Sequence, residues 1–264
     1  MKNTVALLTD FGLNDNYVGV VKGVILTINP RVKLIDITHR IKSHKINEAA
    51  FVLRTSFSYF PKGMVFLVVV DPGVGSSRAA IAIKTKNYYF LGPDNGVLWP
   101  AAEADGIKKM IELNDKRFFL KNISSTFQGR DIFAPVAAHL CGGVYFSHLG
   151  KAIERIKKLD FVLPKEKRRF LEGEVIYIDK FGNLVTNIEK SFLQKFLKGK
   201  KFRATLAGKK IKTLSGSYVK NRPNEPFFIE GSFGYLEVSL KGESAKNYFK
   251  ISPGKKTKLI IKKI

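Results

Sequence analysis

The chain is poor in the residues from which metal and redox centres are usually built. Cys141 is the only cysteine among 264 residues, which excludes an intramolecular disulfide and a thiolate metal cluster. The four histidines, His39, His44, His139 and His148, show no metal-ligand spacing and no HExxH pattern, so no metal is expected. A GxSxG elbow, a P-loop and a GxGxxG fingerprint are all missing, which removes support for a serine hydrolase, an NTPase and a dinucleotide enzyme. Nor does any apolar stretch approach the roughly 20 residues of a membrane span. From Lys2 the chain reaches Asp10 after only the short run Val5 to Leu8, so a cytoplasmic protein without a membrane partner is expected. Acidic side chains are also scarce: 22 against 46 basic ones, a net charge of +24. Such a balance points toward anionic partners. The lysines are spread, however, with the densest patches at Lys157-Lys158, Lys165 to Arg169 and Lys255 to Lys263. They read as a solvated surface of the heat-adapted kind, and nucleic acid is not the expected partner.

What is present is enough for a large core. A 45% hydrophobic content with 12% aromatics supports one large or two modest domains. The first half alternates strand and helix patterns. Val5 to Leu8 reads as a strand, and Tyr17, Val20, Val21, Val24, Ile25 and Ile28 then fall at helical spacing until Asn29-Pro30. Val32 to Ile37 reads as the next strand, followed by one helix face from Ile46 to Phe60 that Pro61 ends. Met64 to Val70 is a buried strand, and Ala79 to Ile83 with Tyr88 to Leu91 predicts a hairpin. The last strong helix lies within Phe127 to Leu140, closed by Gly142-Gly143. This pattern predicts an α/β domain over 1–165, a mostly parallel sheet flanked by helices. Residues 166–264 change texture. Glu174 to Ile178, Leu184 to Ile188, Phe202 to Leu206, Lys210 to Leu214, Pro226 to Ile229, Tyr235 to Leu240 and Lys256 to Ile261 read as short strands of a smaller β-barrel domain.

The densest chemical signal follows the run ending at Val70. Asp71-Pro72-Gly73-Val74-Gly75-Ser76-Ser77-Arg78 places a carboxylate and a guanidinium across a glycine loop at a strand's C-terminal end, where open α/β sheets hold ligands. A structural ion pair is the other meaning of Asp71 and Arg78. Asp10, in Thr9-Asp10-Phe11-Gly12, suits either a ribose diol or a loop cap. Pro93-Asp94-Asn95-Gly96 marks a tight turn, and Thr126-Phe127-Gln128-Gly129-Arg130-Asp131 runs into a helix start, where Asp131 suits a cap. Further on, Asp179-Lys180-Phe181-Gly182-Asn183 and Gly231-Ser232-Phe233-Gly234-Tyr235-Leu236-Glu237 each lie between strands. Phe181 and Phe233 could sandwich a flat heterocycle while Asn183 reads its edge, or they could pack on a barrel rim.

In their order and spacing these six segments resemble the S-adenosyl-L-methionine hydrolase family, also called S-adenosylmethionine hydroxide adenosyltransferases, which is related to the fluorinases and chlorinases. The resemblance runs nearly end to end. It implies hydrolysis of S-adenosyl-L-methionine to adenosine and L-methionine by water attacking C5′, with no cofactor. It also implies a homotrimer whose active sites lie between the N-terminal domain of one subunit and the C-terminal domain of its neighbour. Carried over by position, Asp10 holds the ribose diol, Asp179 the methionine ammonium, Ser232 the methionine carboxylate and Asn183 the adenine edge. Phe181, Phe233 and Tyr218 form walls, and Glu237 is a further substrate-binding residue. Asp71 and Arg78 match two of the three groups that the family sets around the water. The halogenases depart at the Asp71 position, so its retention here favours water over halide.

The third group differs. The family pattern is Thr-Phe-His-Gly-Arg-Asp, and Gln128 stands in place of its histidine. An imidazole takes up a proton near neutral pH, whereas an amide only donates and accepts hydrogen bonds. The expectation is therefore a hydrolase slowed at Gln128 with its binding kept. The alternatives are a binding protein that has lost the chemistry and a halide-using adenosyl transferase.

Overall fold

The computed structural model describes residues 3–252 and 256–264, so Lys2 and Lys255, named above at the ends of two segments, lie outside the described residues. The chain divides between Asp160 and Phe161 into two units.

In the first unit, the described residues form β1 (Thr4–Thr9), α1 (Tyr17–Ile28), β2 (Lys33–Thr38), α2 (Ile46–Ser56), β3 (Val65–Val69), β4 (Ala80–Thr85), β5 (Tyr89–Pro93), α3 (Trp99–Asp105), β6 (Ile107–Leu113), α4 (Ala134–Cys141) and β7 (Gly150–Ala152). The seven strands make one mixed sheet in the order β2-β1-β3-β5-β4-β6-β7. Parallel pairing joins β2, β1, β3 and β5, and antiparallel pairing adds β4, β6 and β7. β3 is buried at every position, as its unbroken apolar run requires of a strand covered on both faces. Val21 and Ile25 of α1, together with Val136, Ala137 and Leu140 of α4, pack into the same core.

Three departures from the sequence reading have local causes. The helix over Ile46 to Phe60 stops at Ser56 and tightens into a 3₁₀ turn over Phe57–Tyr59. Thr55 Oγ1 bonds back to the carbonyls of Phe51 and Val52 at 2.8 and 3.2 Å, which loosens the last turn ahead of Pro61. The helix after Phe127 opens as a π turn over Gly129–Phe133 before α4 begins. Pro135 has no N–H for the Asp131 carbonyl, which instead accepts from Leu120 N at 2.9 Å. Finally, α3 and β6 escape periodicity analysis, because α3 is a short alanine-rich helix and Lys108-Lys109 interrupts the alternation of β6.

The second unit contains β8 (Lys165–Lys167), β9 (Phe170–Ile178), β10 (Leu184–Glu189), α5 (Lys190–Leu197), β11 (Phe202–Leu206), β12 (Lys209–Ile211), β13 (Thr213–Ser215), β14 (Phe227–Glu230), β15 (Tyr235–Ser239), α6 (Ala245–Tyr248) and β16 (Lys258–Lys263). Its strands run β12-β11-β16-β9-β10-β15-β14-β13, with β8 on β9. The single strand predicted over Lys210 to Leu214 is two. Ile211 pairs with Ala204 at one end of the order and Thr213 with Phe227 at the other. Only Lys212 separates them, so the two ends of the sheet are adjacent and the sheet curls into a nearly closed barrel. α5 buries Leu193, Phe196 and Leu197 against the barrel core.

Candidate active site

The parallel strands of the first unit bring its candidate residues to one edge. Thr9 at the end of β1 pairs with Val69 at the end of β3, so Asp10 and Asp71 leave neighbouring strands at their C-terminal ends. Beyond β5, Asn95 Nδ2 donates to the Val70 carbonyl at 2.8 Å and fixes the backbone that presents Asp71. The Asp-Asn-Gly turn thus supports the site from outside it.

Arg78 closes the loop that begins at Asp71. Its Nε lies 2.9 and 3.1 Å from the two Asp71 oxygens, and its Nη2 donates to both Asp71 Oδ2 and Gln128 Oε1. The side chains of the ion pair are largely shielded, at 10% and 5% exposure for Arg78 and Asp71, and the guanidinium also lies over the Phe133 ring. Gly75 makes the approach to the Gln128 segment possible. Its φ is +79°, and a Cβ there would stand 2.5 Å from the Ser125 carbonyl. An arginine cannot accept a hydrogen bond, so the group that Gln128 turns to it must be the carbonyl oxygen. What Gln128 has left to offer a ligand is its amide hydrogens.

Asp10, Asp71 and Gln128 line one cavity of about 300 Å³, together with Phe11, Tyr17, His44 and Phe127. The three aromatic rings pack on one another with centroids 5.1–5.9 Å apart and give the cavity an apolar wall. Sequence reasoning gave them no role, although Phe11 and Phe127 stand inside the singled-out segments. For Tyr17 the signal was unusual exposure at the first turn of a helix, which only the fold reveals. Asp131 is fully buried. It accepts from Ser124 N at 2.7 Å and pairs with Arg130, so it anchors the loop leading to Gln128 and is not a simple cap.

The remaining candidates meet in the second unit. Asp179, Phe181, Asn183, Tyr218, Ser232, Phe233 and Glu237 line a cavity of about 640 Å³, with Tyr177, Glu243 and Ser244 as members that sequence reasoning did not identify. Asp179 sits in the turn between β9 and β10 and accepts from Phe181 N, Asn183 N and Asn183 Nδ2 at 2.8–2.9 Å. Phe181 and Phe233 are 75% and 48% exposed. Glu237 is buried against Gly231, where a Cβ would fall 1.8 Å from Oε1, and its Oε2 accepts from Tyr218 Oη at 3.1 Å. Burial pushes the Glu237 carboxyl above its ordinary range, Asp179 adds to the rise, and the Tyr218 bond opposes it. The Tyr218 hydroxyl is pushed up to about 12, first by burial and then by the charge of Glu237.

Charge distinguishes both cavities from the rest of the chain. Asp10 and Asp71 face the first, and Asp179, Glu237 and Glu243 the second. Among the described residues no Lys or Arg lines either one, on a chain that carries 46 of them.

Comparison with known proteins agrees with this division of the chain. The SAM hydroxide adenosyltransferase N-terminal domain matches residues 5–150, and the SAM hydroxide adenosyltransferase C-terminal domain matches residues 173–258. The chain belongs to the SAM hydroxide adenosyltransferase family. An (R)-S-adenosyl-L-methionine hydrolase from Methanocaldococcus jannaschii is 43% identical over 70% of this chain and 67% of its own length. One from Salinispora tropica is 32% identical over 95% of both chains. The crystal structure of an uncharacterized conserved protein from Thermotoga maritima superposes with a TM-score of 0.91 at 37% identity, over 98% of this chain and 100% of that one. Fluorinases are more distant members of the similarity, 27% identical in Actinoplanes sp. over 72% of this chain and 73% of the relative.

Proposed function

We propose that this member of the SAM hydroxide adenosyltransferase family hydrolyses S-adenosyl-L-methionine to adenosine and L-methionine, by attack of water on C5′. The observation that carries this reading is the charge of the two cavities: Asp10, Asp71, Asp179, Glu237 and Glu243 face them, and among the described residues no lysine or arginine lines either one. Of these carboxylates Asp71 alone is paired with an arginine among the described residues, Arg78, which suits a substrate that is cationic at sulfur and nitrogen. A sulfonium is already an activated leaving group, so the reaction asks the protein for neither metal nor cofactor. It asks for alignment of the water, acceptance of hydrogen-bond density from it and exclusion of bulk solvent.

In this reading the water donates to Asp71 and accepts from the amide of Gln128; as its oxygen bonds to C5′ the C5′–S bond breaks to release methionine, and the proton the water loses passes by way of Asp71 to solvent. Arg78 fixes both side chains, and the Phe11, Tyr17 and Phe127 rings shield the reacting carbon. Asp10 takes the ribose diol, Asn183 the adenine edge, Asp179 the ammonium and Ser232 the carboxylate of the methionine portion, with Phe181, Phe233 and Tyr218 as walls. Asn183 already gives one amide hydrogen to Asp179, which leaves its carbonyl and its second hydrogen for the base. Because Gln128 takes up no proton, hydrolysis is slow while binding is retained. The resemblance supports a cytoplasmic homotrimer with active sites at subunit interfaces, for which light scattering should return three chain masses.

Incubation of the purified protein with S-adenosyl-L-methionine, with and without chloride, tests the chemistry. The expected result is adenosine and methionine in equal amounts at a rate unaffected by chloride. Formation of 5′-chloro-5′-deoxyadenosine would make the protein a halide transferase, and unchanged substrate would make it a binding protein.

A further inference from the structure

His39 is 3% exposed, is not among the residues facing the cavity, and has no part in the chemistry above. Its surroundings nevertheless converge on Asp10. β2 runs parallel to β1 and Thr38 pairs with Leu8, which sets His39 beside Thr9. His39 Nδ1 lies 2.8 Å from Thr9 Oγ1, and its Nε2 lies 3.0 Å from Asp36 Oδ1. Asp36 is itself held by Lys22 Nζ at 2.6 Å. Burial raises the Asp36 carboxyl, but the Lys22 and His39 bonds outweigh it and hold the group below the ordinary aspartate range.

Donor and acceptor counting favours one polarity for this chain of contacts. Asp36 can only accept, so the tautomer that suits the 3.0 Å contact carries its hydrogen on Nε2 and leaves Nδ1 to accept from the Thr9 hydroxyl. Thr9 Oγ1 in turn accepts from Phe11 N at 3.3 Å, closing a small turn around Asp10. Two further bonds complete the clasp. Gly12 N donates to the His39 carbonyl at 2.7 Å, and Asp10 Oδ2 accepts from His44 N at 2.9 Å. His44 adopts a left-handed backbone, φ 66°, to make that bond. The backbone on both sides of Asp10 and one of its carboxylate oxygens are therefore fixed before any ligand arrives.

We infer that His39 is a positioning residue that acts through Thr9 to hold Asp10 in the orientation that receives the two ribose hydroxyls. The inference rests on the proposed role of Asp10. A purely structural histidine would support the fold without affecting which ribose is preferred, and this separates the two meanings.

The test measures binding of adenosine and of 2′,3′-dideoxyadenosine by calorimetry to the wild type and to the variants His39→Leu, His39→Asn and Thr9→Val. Wild type should prefer adenosine by about tenfold or more, the strength of hydrogen bonds to a charged group. In His39→Leu and Thr9→Val the preference should fall to within about threefold, through weaker adenosine binding alone. His39→Asn keeps an acceptor near the Nδ1 position and should retain most of the preference. If His39→Leu does not fold, Thr9→Val breaks the same link from the other side. An unchanged preference in folded His39→Leu or Thr9→Val overturns the inference and leaves the proposed function standing. Equal binding of the two nucleosides by wild type removes the Asp10 role, and the inference with it.

Discussion

Arg78 joins Asp71 to Gln128: one guanidinium donates through Nε and Nη2 to the carboxylate and through Nη2 to the amide oxygen. Asp71 and Gln128, carried by separate loops, are thereby held as a unit, and their separate effects should be non-additive. Asp71→Asn is expected to lower kcat by about 10²–10⁴ with little change in KM, because it replaces the charged carboxylate that can take the water's proton with an amide that cannot, and leaves the binding residues untouched. Arg78→Lys should approach the same loss, since an ammonium cannot reproduce the fork. Steady-state kinetics on both single variants and the double variant check this, and a double variant no slower than either single one is the predicted outcome.

Gln128→His should raise the single-turnover rate of adenosine release by about 10²-fold or more, within the 10²–10⁴ that a positioned acid-base group contributes. The gain should appear in kcat, because the substitution changes the water's environment and not the walls that bind substrate. No gain would mean that position 128 is not a proton-transfer site in this chain.

Gly75→Ala is expected to lower kcat while sparing substrate binding. The new Cβ meets the Ser125 carbonyl at 2.5 Å, and the backbone there has a φ that disfavours alanine. Relief comes by separating the Asp71 loop from the segment that carries Gln128. Kinetics combined with a thermal melt would register both the loss of rate and a fall in Tm.

Glu237→Gln should trade function for stability. Folding raises the Glu237 carboxyl above its unfolded value, so the folded chain holds that proton more tightly, and the stability this contributes is present at low pH and lost as pH rises through the folded value. At neutral pH the buried carboxylate therefore burdens the fold, and the neutral amide should raise Tm by about 2–4 °C. The same substitution should cost about tenfold in preference for S-adenosyl-L-methionine over the uncharged thioether S-adenosyl-L-homocysteine. In the wild type that preference should fade on acidification, beginning at a pH above the ordinary glutamate range. Competition binding across a pH series, alongside melts, measures both effects.

Much of the site was legible because its residues come in short, ordered segments that follow strands. Asp71 was conspicuous through the apolar run before it, and Asp10 through its place at the end of the first strand. The Asp71–Arg78 ion pair was one of the two meanings the sequence offered, but its extension to Gln128 and the use of Asn95 as a brace for Val70 depend on loop geometry, which periodicity does not encode. His39 was invisible for a related reason. Its significance comes from the parallel register of β1 and β2, which sets it beside Thr9 across thirty residues of sequence. In the fold, long amphipathic or wholly apolar segments were easy to read. The switch of strand at Lys212 was not, since Lys210 to Leu214 has a continuous strand pattern and only the closing of the barrel divides it.

The central claim is that Asp71 directs water to C5′ of S-adenosyl-L-methionine. Hydrolysis in ¹⁸O-labelled water, followed by mass spectrometry of both products, tests it most directly. One ¹⁸O in the 5′-hydroxyl of adenosine and none in methionine, with the labelled product nearly abolished in Asp71→Asn, is the predicted result. Absence of label from adenosine, or equal labelling rates in wild type and Asp71→Asn, would contradict it.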